Sequence, residues 1–142
     1  MTDDMVLKGH DLFASLNVDE IDRISAFSSV KDYRRRDVIF KSNQTASHFH
    51  ILMEGSVYLM LPGERPEFNI LISKVEKGEL CGISPLLRSP CYTSTAQCFE
   101  DTKVLAVEAE PFRELLQHNC VAGMDIVTRV GHIYFTRYLD LI

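Results

Sequence analysis

The sequence predicts a mainly β fold with flanking helices, a roll or sandwich of jelly-roll type. Three observations predict it. Between residues 30 and 107 the chain runs through short segments rich in β-branched and aromatic residues, separated by frequent turn residues. Over residues 10–28 and 109–142 the apolar residues recur at helical spacing instead. Length and composition are those of a globular domain: 142 residues, 46% apolar and 25% charged, enough to bury a core without disulfides or metals. No repeat, low-complexity tract or linker interrupts the chain, so one domain over 1–142 is expected.

The N-terminal segment carries Leu12, Phe13, Leu16, Ile21, Ile24 and Phe27, a helical period broken at Asn17. Asp11 and Asn17 suit the N-caps of two short helices, because their side-chain oxygens accept from free backbone N–H groups. The predicted strands are DVIFK, HFHILM, SVYLML, EFNILISKV, TSTAQCF and TKVLAV. Ser42-Asn43-Gln44, Glu54-Gly55, Pro62-Gly63-Glu64, Gly78 and Glu100-Asp101 supply the turns between them. EPFRELLQHN then fits one short helix, with Pro111 tolerated in its first turn. The last helix, Cys120 to Ile142, carries Met124, Val127, Val130, Tyr134, Tyr138 and Leu141 at spacings of three and four. Ile133 and Phe135 widen that stripe, and Asp125, Arg129, His132 and Asp140 lie opposite. A stripe of this length suits packing on a second copy of itself, so a homodimer is expected.

Charge and cysteine usage exclude several classes. Fifteen Lys and Arg against twenty Asp and Glu give a net charge of −5, which offers no footprint for nucleic acid or an anionic membrane. The Arg34-Arg35-Arg36 run is a solvated turn. No apolar stretch is long enough to span a bilayer, and the start, MTDDMVLKGHD, is acidic and unlike a signal peptide, so a cytoplasmic protein is expected. Cys81, Cys91, Cys98 and Cys120 form no CxxC pair, so reduced thiols are expected. Cys98 and Cys120 are expected as small apolar fillers. No catalytic triad is legible, and neither an enzymatic activity nor a cofactor is expected.

The most informative stretch is KGELCGISPLLRSPCYTSTAQ, residues 77–97. A strand ends at a turn through Gly78, and Gly82 lets the backbone approach a neighbour closely. Ser84 stands where an N-cap belongs and Pro85 where the first helical residue belongs. Leu86 and Leu87 follow, and Pro90 ends the turn. A glycine before a capped helix start presents backbone N–H groups to an anion, with Ser84 and Tyr92 or Thr93 as further donors.

The order of these pieces resembles the cyclic nucleotide-binding domain, the sensor module of catabolite activator proteins and protein kinase A regulatory subunits. The resemblance covers nearly the whole chain. Phe13 to Leu16 resembles the family's opening, VIF at 38–40 its Ile-Phe strand, and HILMEGSVYLM at 50–60 its strand–Gly–strand hairpin. VEKGELCGISPLL at 75–87 resembles its phosphate-binding cassette, and PFRELL at 111–116 with the helix after it resembles the hinge and dimer helix. The resemblance implies a double-stranded β-helix (jelly roll). It implies a cassette over 78–93 in which Gly78, Leu80, Cys81, Gly82, Ile83, Ser84, Arg88, Cys91, Tyr92 and Thr93 are the candidate ligand residues. It also implies that the terminal helix closes the pocket near Arg137 and Tyr138.

Two departures bear on the ligand. The family follows its second glycine with a Glu that accepts from the ribose 2′-hydroxyl; here Ile83 follows Gly82. The family's Pro-Arg pair, whose Arg holds the cyclic phosphate, is Pro90-Cys91 here. The segment between is about one residue short by the same comparison. Each lost charged hydrogen bond costs roughly 1.5–3 kcal/mol, and two cost roughly two to four decades of affinity. The expectation is a sensor module that does not hold cAMP or cGMP in the family's usual way. It senses another small anionic ligand or acts through dimer and partner contacts. Arg88 supplies the missing charge if the short loop turns it inward; otherwise it is a solvated surface residue. A cysteine at the mouth of such a cradle, Cys81 or Cys91, would have a lowered pKa suited to redox sensing; an inert buried thiol is the commoner reading.

A competing pattern is His48, His50 and Glu54, an H-x-H-x-x-x-E spacing that resembles the first metal motif of cupins. Residues two apart on a strand share a face, so both imidazoles would reach one metal. Its second half is missing, because His10, His118 and His132 all fall in predicted helices. Transcription factors of the cyclic nucleotide-binding type carry a helix-turn-helix after the long helix; this sequence ends at Ile142 on that helix, so no DNA-reading element is expected.

Overall fold

The structure, a computed structural model, describes residues 3–65 and 67–142. Helix α1 (Asp3–Gly9), a 3-10 turn (Asp11–Phe13) and α2 (Val18–Ala26) precede eight strands. These are β1 (Ser28–Tyr33), β2 (Val38–Phe40), β3 (His48–Glu54), β4 (Val57–Leu61), β5 (Ile70–Val75), β6 (Leu80–Cys81), β7 (Thr95–Cys98) and β8 (Thr102–Glu108). A second 3-10 turn (Ser84–Leu87) lies between β6 and β7, and α3 (Ala109–Gln117) and α4 (Cys120–Leu141) close the chain. The strands form two four-stranded antiparallel sheets in the orders β1-β8-β3-β6 and β2-β7-β4-β5. This is the jelly roll with flanking helices that the sequence predicts.

The two halves of the core follow from the period of two along the strands. On β3, Phe49, Ile51 and Met53 face the helices, where they join Leu7, Phe13, Ile24, Phe112, Leu115 and Ile126. Leu52 faces the other way, into a second core with Phe40, Val57, Leu59, Val75, Ala96 and Val104 between the sheets. At β3 and β8 the first sheet is therefore covered on both faces, which is why those two strands read as near-continuous apolar runs.

Local chemistry fixes the helix ends. Asn17 caps α2 in a capping box with Glu20, as expected. Glu20 also accepts from the Asn119 amide at 3.0 Å, while the Asn119 Oδ1 accepts from the Ala122 N–H and so caps α4. One hydrogen-bonded pair thus ties the first helices to the last. The cap before Leu12 is His10, not Asp11: its Nδ1 accepts from the Leu12 N–H, and its Nε2 reaches the Gly78 carbonyl at 2.7 Å. Cys98 is buried as expected, but Cys120 is exposed at the start of α4, because the inward positions of that helix are Ala122, Ile126 and Val130. Strands β1 and β6 and helix α1 were not among the predicted elements. No helix among the described residues is long and apolar enough to cross a membrane.

Candidate functional site

The candidate site is a cavity of about 190 Å³ between the second sheet, the Gly82–Ser84 corner and α4. Phe40, Leu59, Leu61 and Ile72 form its sheet wall, and Gly82, Ile83 and Ser84 form the corner. Thr93 and Ser94 form its rim, while Tyr134, Arg137, Tyr138 and Leu141 reach it from α4. Alternation along β4 puts Leu59 and Leu61 on one face, and spacings of three and four put the four α4 residues on one side.

The corner is held in a conformation that only glycine takes easily. Gly82 has φ +65°, and a Cβ there would stand 2.7 Å from the His50 Nδ1 and 2.9 Å from the Phe40 ring. Ile83 follows, 1% exposed, filling the corner with a sec-butyl group. Ser84 is not the cap of the short turn; Ile83 occupies that place with no side-chain hydrogen bond. The Ser84 hydroxyl instead donates to the Cys91 carbonyl at 3.1 Å, and Ser89 donates to the same oxygen at 2.6 Å. Those bonds close the loop on itself.

Of the sequence-derived candidates, Gly82, Ile83, Ser84, Thr93, Arg137 and Tyr138 line this cavity. Others are placed elsewhere. Gly78 has φ +88° in the turn before β6. Leu80 packs in the helix-facing core, and Cys81 is buried between the sheets. Tyr92 does not line the cavity. Its ring stacks on Phe40 with centroids 4.1 Å apart, and its hydroxyl donates to the His48 carbonyl at 2.7 Å. Arg88 does not turn inward. At φ +65° it ends the 3-10 turn, stays exposed, and lies with Arg113 along an outer groove. Cys91 is half-buried, and its backbone rather than its thiol does the bonding. Burial pushes the Cys81 thiol up to about 12, against the pull of Arg137, so Cys81 is the inert buried thiol of the two readings.

The metal pattern also comes apart. The His50 ring stacks on Phe40, centroids 5.4 Å apart, with its Nδ1 unpartnered, and burial pushes its pKa down to about 3. His48 bonds Ser47 at 2.7 Å, and Glu54 is exposed at the far end of β3. No group of three His, Cys, Asp or Glu residues among those described is placed to hold a metal ion.

Sequence reasoning missed Phe40, Leu59, Leu61, Ile72, Ser94 and Leu141 as cavity residues. It placed Tyr134 on the apolar stripe but not in the site. The signal available was strand alternation on β2, β4 and β5, which gives the faces but not which stretch of the face stays uncovered. Arg137 is the single cation of the lining. Its Nη2 donates to the Leu80 carbonyl at 2.6 Å, and burial pushes its pKa down, opposed by Cys81, Glu79 and Tyr134. Burial likewise pushes the Tyr134 phenol up, while the Thr93 and Ser84 hydroxyls beside it pull it back.

Residues 30–119 match the family model of the cyclic nucleotide-binding domain, well over half of the chain. The chain belongs to the cyclic nucleotide-binding domain family. Its structure resembles a candidate cyclic nucleotide-binding protein from Geobacter metallireducens GS-15, at TM-score 0.82 and 26% identity, over 97% of this chain and 99% of that one. It also resembles the sensor domain of the transcriptional regulator DNR from Pseudomonas aeruginosa, at TM-score 0.81 and 18% identity, over 97% and 91%. The fold extends to the regulatory domain of Toxoplasma gondii protein kinase A, solved with cAMP, at TM-score 0.78 and 17% identity, over 93% and 49%. Comparison with curated protein sequences found no match. The last two are a sensor domain and a regulatory domain, and the cavity of this cyclic nucleotide-binding domain lies between the Gly82–Ser84 corner and α4.

Proposed function

We propose that this member of the family is a non-catalytic, cytoplasmic sensor module of one domain, which recognises a small anion other than cAMP or cGMP. The observation that carries the reading is the cation count of the cavity. Ile83 fills the corner where the family's ribose-binding Glu stands. Cys91 replaces the phosphate-binding Arg, and Arg88 lies outside. Arg137 alone offers charge, and it comes from α4 rather than the cassette. A ligand held there joins the roll to the helix, so occupancy would stiffen α4 against the second sheet.

The outer face of α4 supports the expected homodimer as the output. Met124 is 71% exposed and Phe135 57%, with Val127 between them. A monomer seldom leaves so continuous an apolar stripe in water. The cavity-facing side of α4 and this stripe share one helix, so a ligand that shifts the helix would shift the dimer.

Amide NMR spectra of the full chain with millimolar cAMP and cGMP test the ligand reading. The expected result is unmoved Gly82, Ile83, Ser84 and Thr93 signals. Saturable shifts at those four residues would overturn it.

A further inference from the structure

The cavity pairs one cation with walls that are mostly apolar, edged by the hydroxyls of Ser84, Thr93, Ser94, Tyr134 and Tyr138. Phe40, Leu59, Leu61, Ile72 and Ile83 contribute no polar side-chain atom. Arg137 carries five N–H donors in a planar fork. Among the described residues one of them is used, in the bond to the Leu80 carbonyl, and no carboxylate forms an ion pair with the guanidinium. Glu79, whose charge acts on it, is engaged at the turn before β6, where its carboxylate accepts from the Glu76 N–H at 2.9 Å. A cation half-buried against mostly apolar walls is stabilised further when an anion pairs with its free donors.

The size and charge of the cavity narrow the ligand. About 190 Å³ lies below the roughly 300–1,000 Å³ of sites for drug-sized molecules. One cation matches one negative charge. A doubly charged phosphate monoester would bring a second charge to a lining with no second cation to meet it. A carboxylate is planar, carries a single charge and fits the guanidinium fork through two parallel hydrogen bonds.

Resting on the proposed reading of this site as an anion sensor, we propose that its ligand is a small apolar monocarboxylate, the carboxylate paired with Arg137 and the hydrocarbon body against Phe40, Leu59 and Ile83. The Ser84 and Thr93 hydroxyls beside Tyr134 form the polar edge of the same site. The ligand's charge then bonds to α4 and its body to the roll.

Calorimetric titration of the full chain with phenylacetate, phenylacetamide and inorganic phosphate tests this. Phenylacetate is expected to bind roughly 10- to 100-fold more tightly than the isosteric amide, which lacks the charge, and phosphate is expected to give no heat. Hydrogen exchange along Tyr134–Leu141 is expected to slow with phenylacetate alone. Arg137→Gln should reduce phenylacetate to the level of the amide, while Arg129→Gln, on the same helix outside the cavity, should leave it unchanged. Equal binding of acid and amide, retention of phenylacetate binding in Arg137→Gln, or no phenylacetate heat at millimolar concentration would overturn the proposal. The acid–amide comparison uses the unaltered chain, so it decides the matter even if the variant does not fold. Micromolar cAMP binding would overturn the underlying reading separately.

Discussion

The two sheets of the roll are built to the same plan and filled to different extents. The β1-β8-β3-β6 sheet lies between the second sheet and the helices. From Phe49 to Met53 and from Val104 to Val107 every residue is buried. The β2-β7-β4-β5 sheet has solvent on one side, and toward α4 its inner face opens onto the cavity. Its outermost strand, β5, leaves Ile70 and Leu71 each 55% exposed. Stability is concentrated where packing is complete. The cavity lies where the packing stops short, with a single arginine among mostly apolar walls.

Truncation of each wall is the strongest way to break that comparison. Phe49 is fully buried, 5.0 Å edge-on from the Phe112 ring, so Phe49→Ala should cost about 3–5 kcal/mol in urea unfolding. Leu61, half-exposed at the cavity, should cost less than about 1.5 kcal/mol as alanine. Equal losses would mean that the second sheet is as fully packed as the first.

Next in size is the corner where the two regions meet. Gly82→Ala adds a Cβ at φ +65° within 2.7 Å of the His50 Nδ1, and about 2–3 kcal/mol should be lost from strain and overpacking together. An unchanged midpoint of thermal unfolding would show that the corner yields easily.

The imidazole behind that corner gives a pH dependence. Its folded pKa of about 3 lies below the ordinary imidazole value of 6.5. The unfolded chain therefore takes up a proton that the folded chain refuses. Stability from this group is complete above about pH 6.5 and falls as the pH drops toward 3. Between pH 7 and pH 5 the loss should be about 2 kcal/mol, read by urea titration at both values. His50→Gln should flatten that dependence, and a dependence unchanged in the variant would assign it to other groups. Smallest is Tyr92→Phe. It removes the bond to the His48 carbonyl while keeping the stack on Phe40, for a loss of about 1 kcal/mol. No loss would show that water replaces the hydroxyl at the strand edge.

The scaffold was more legible in the sequence than the site. Apolar runs such as HFHILM and TKVLAV, the Asn17 cap and the α4 stripe each report a local preference that the fold keeps. Strand β6 escaped notice because two residues, Leu80 and Cys81, give no period. Strand β1 escaped because its burial pattern is almost wholly exposed, so no alternation marks it. The site depends on which way a short loop turns. Nothing local distinguishes an inward Arg88 from an outward one; the decision comes from Ser84 and Ser89 both bonding the Cys91 carbonyl, which tightens the loop. Arg137 and Tyr138 were reachable through the family layout. Leu59, Leu61 and Ile72 required the gap between two sheets, which is a property of the whole packing.

Calorimetric titration of the full chain with cAMP and cGMP is the most direct test of the account. A cavity with Ile83 at its corner and Arg137 as its cation should give no heat at millimolar concentrations of either. Micromolar, saturable binding would contradict it, because the chain would then hold a cyclic phosphate without the family's cassette Glu and Arg.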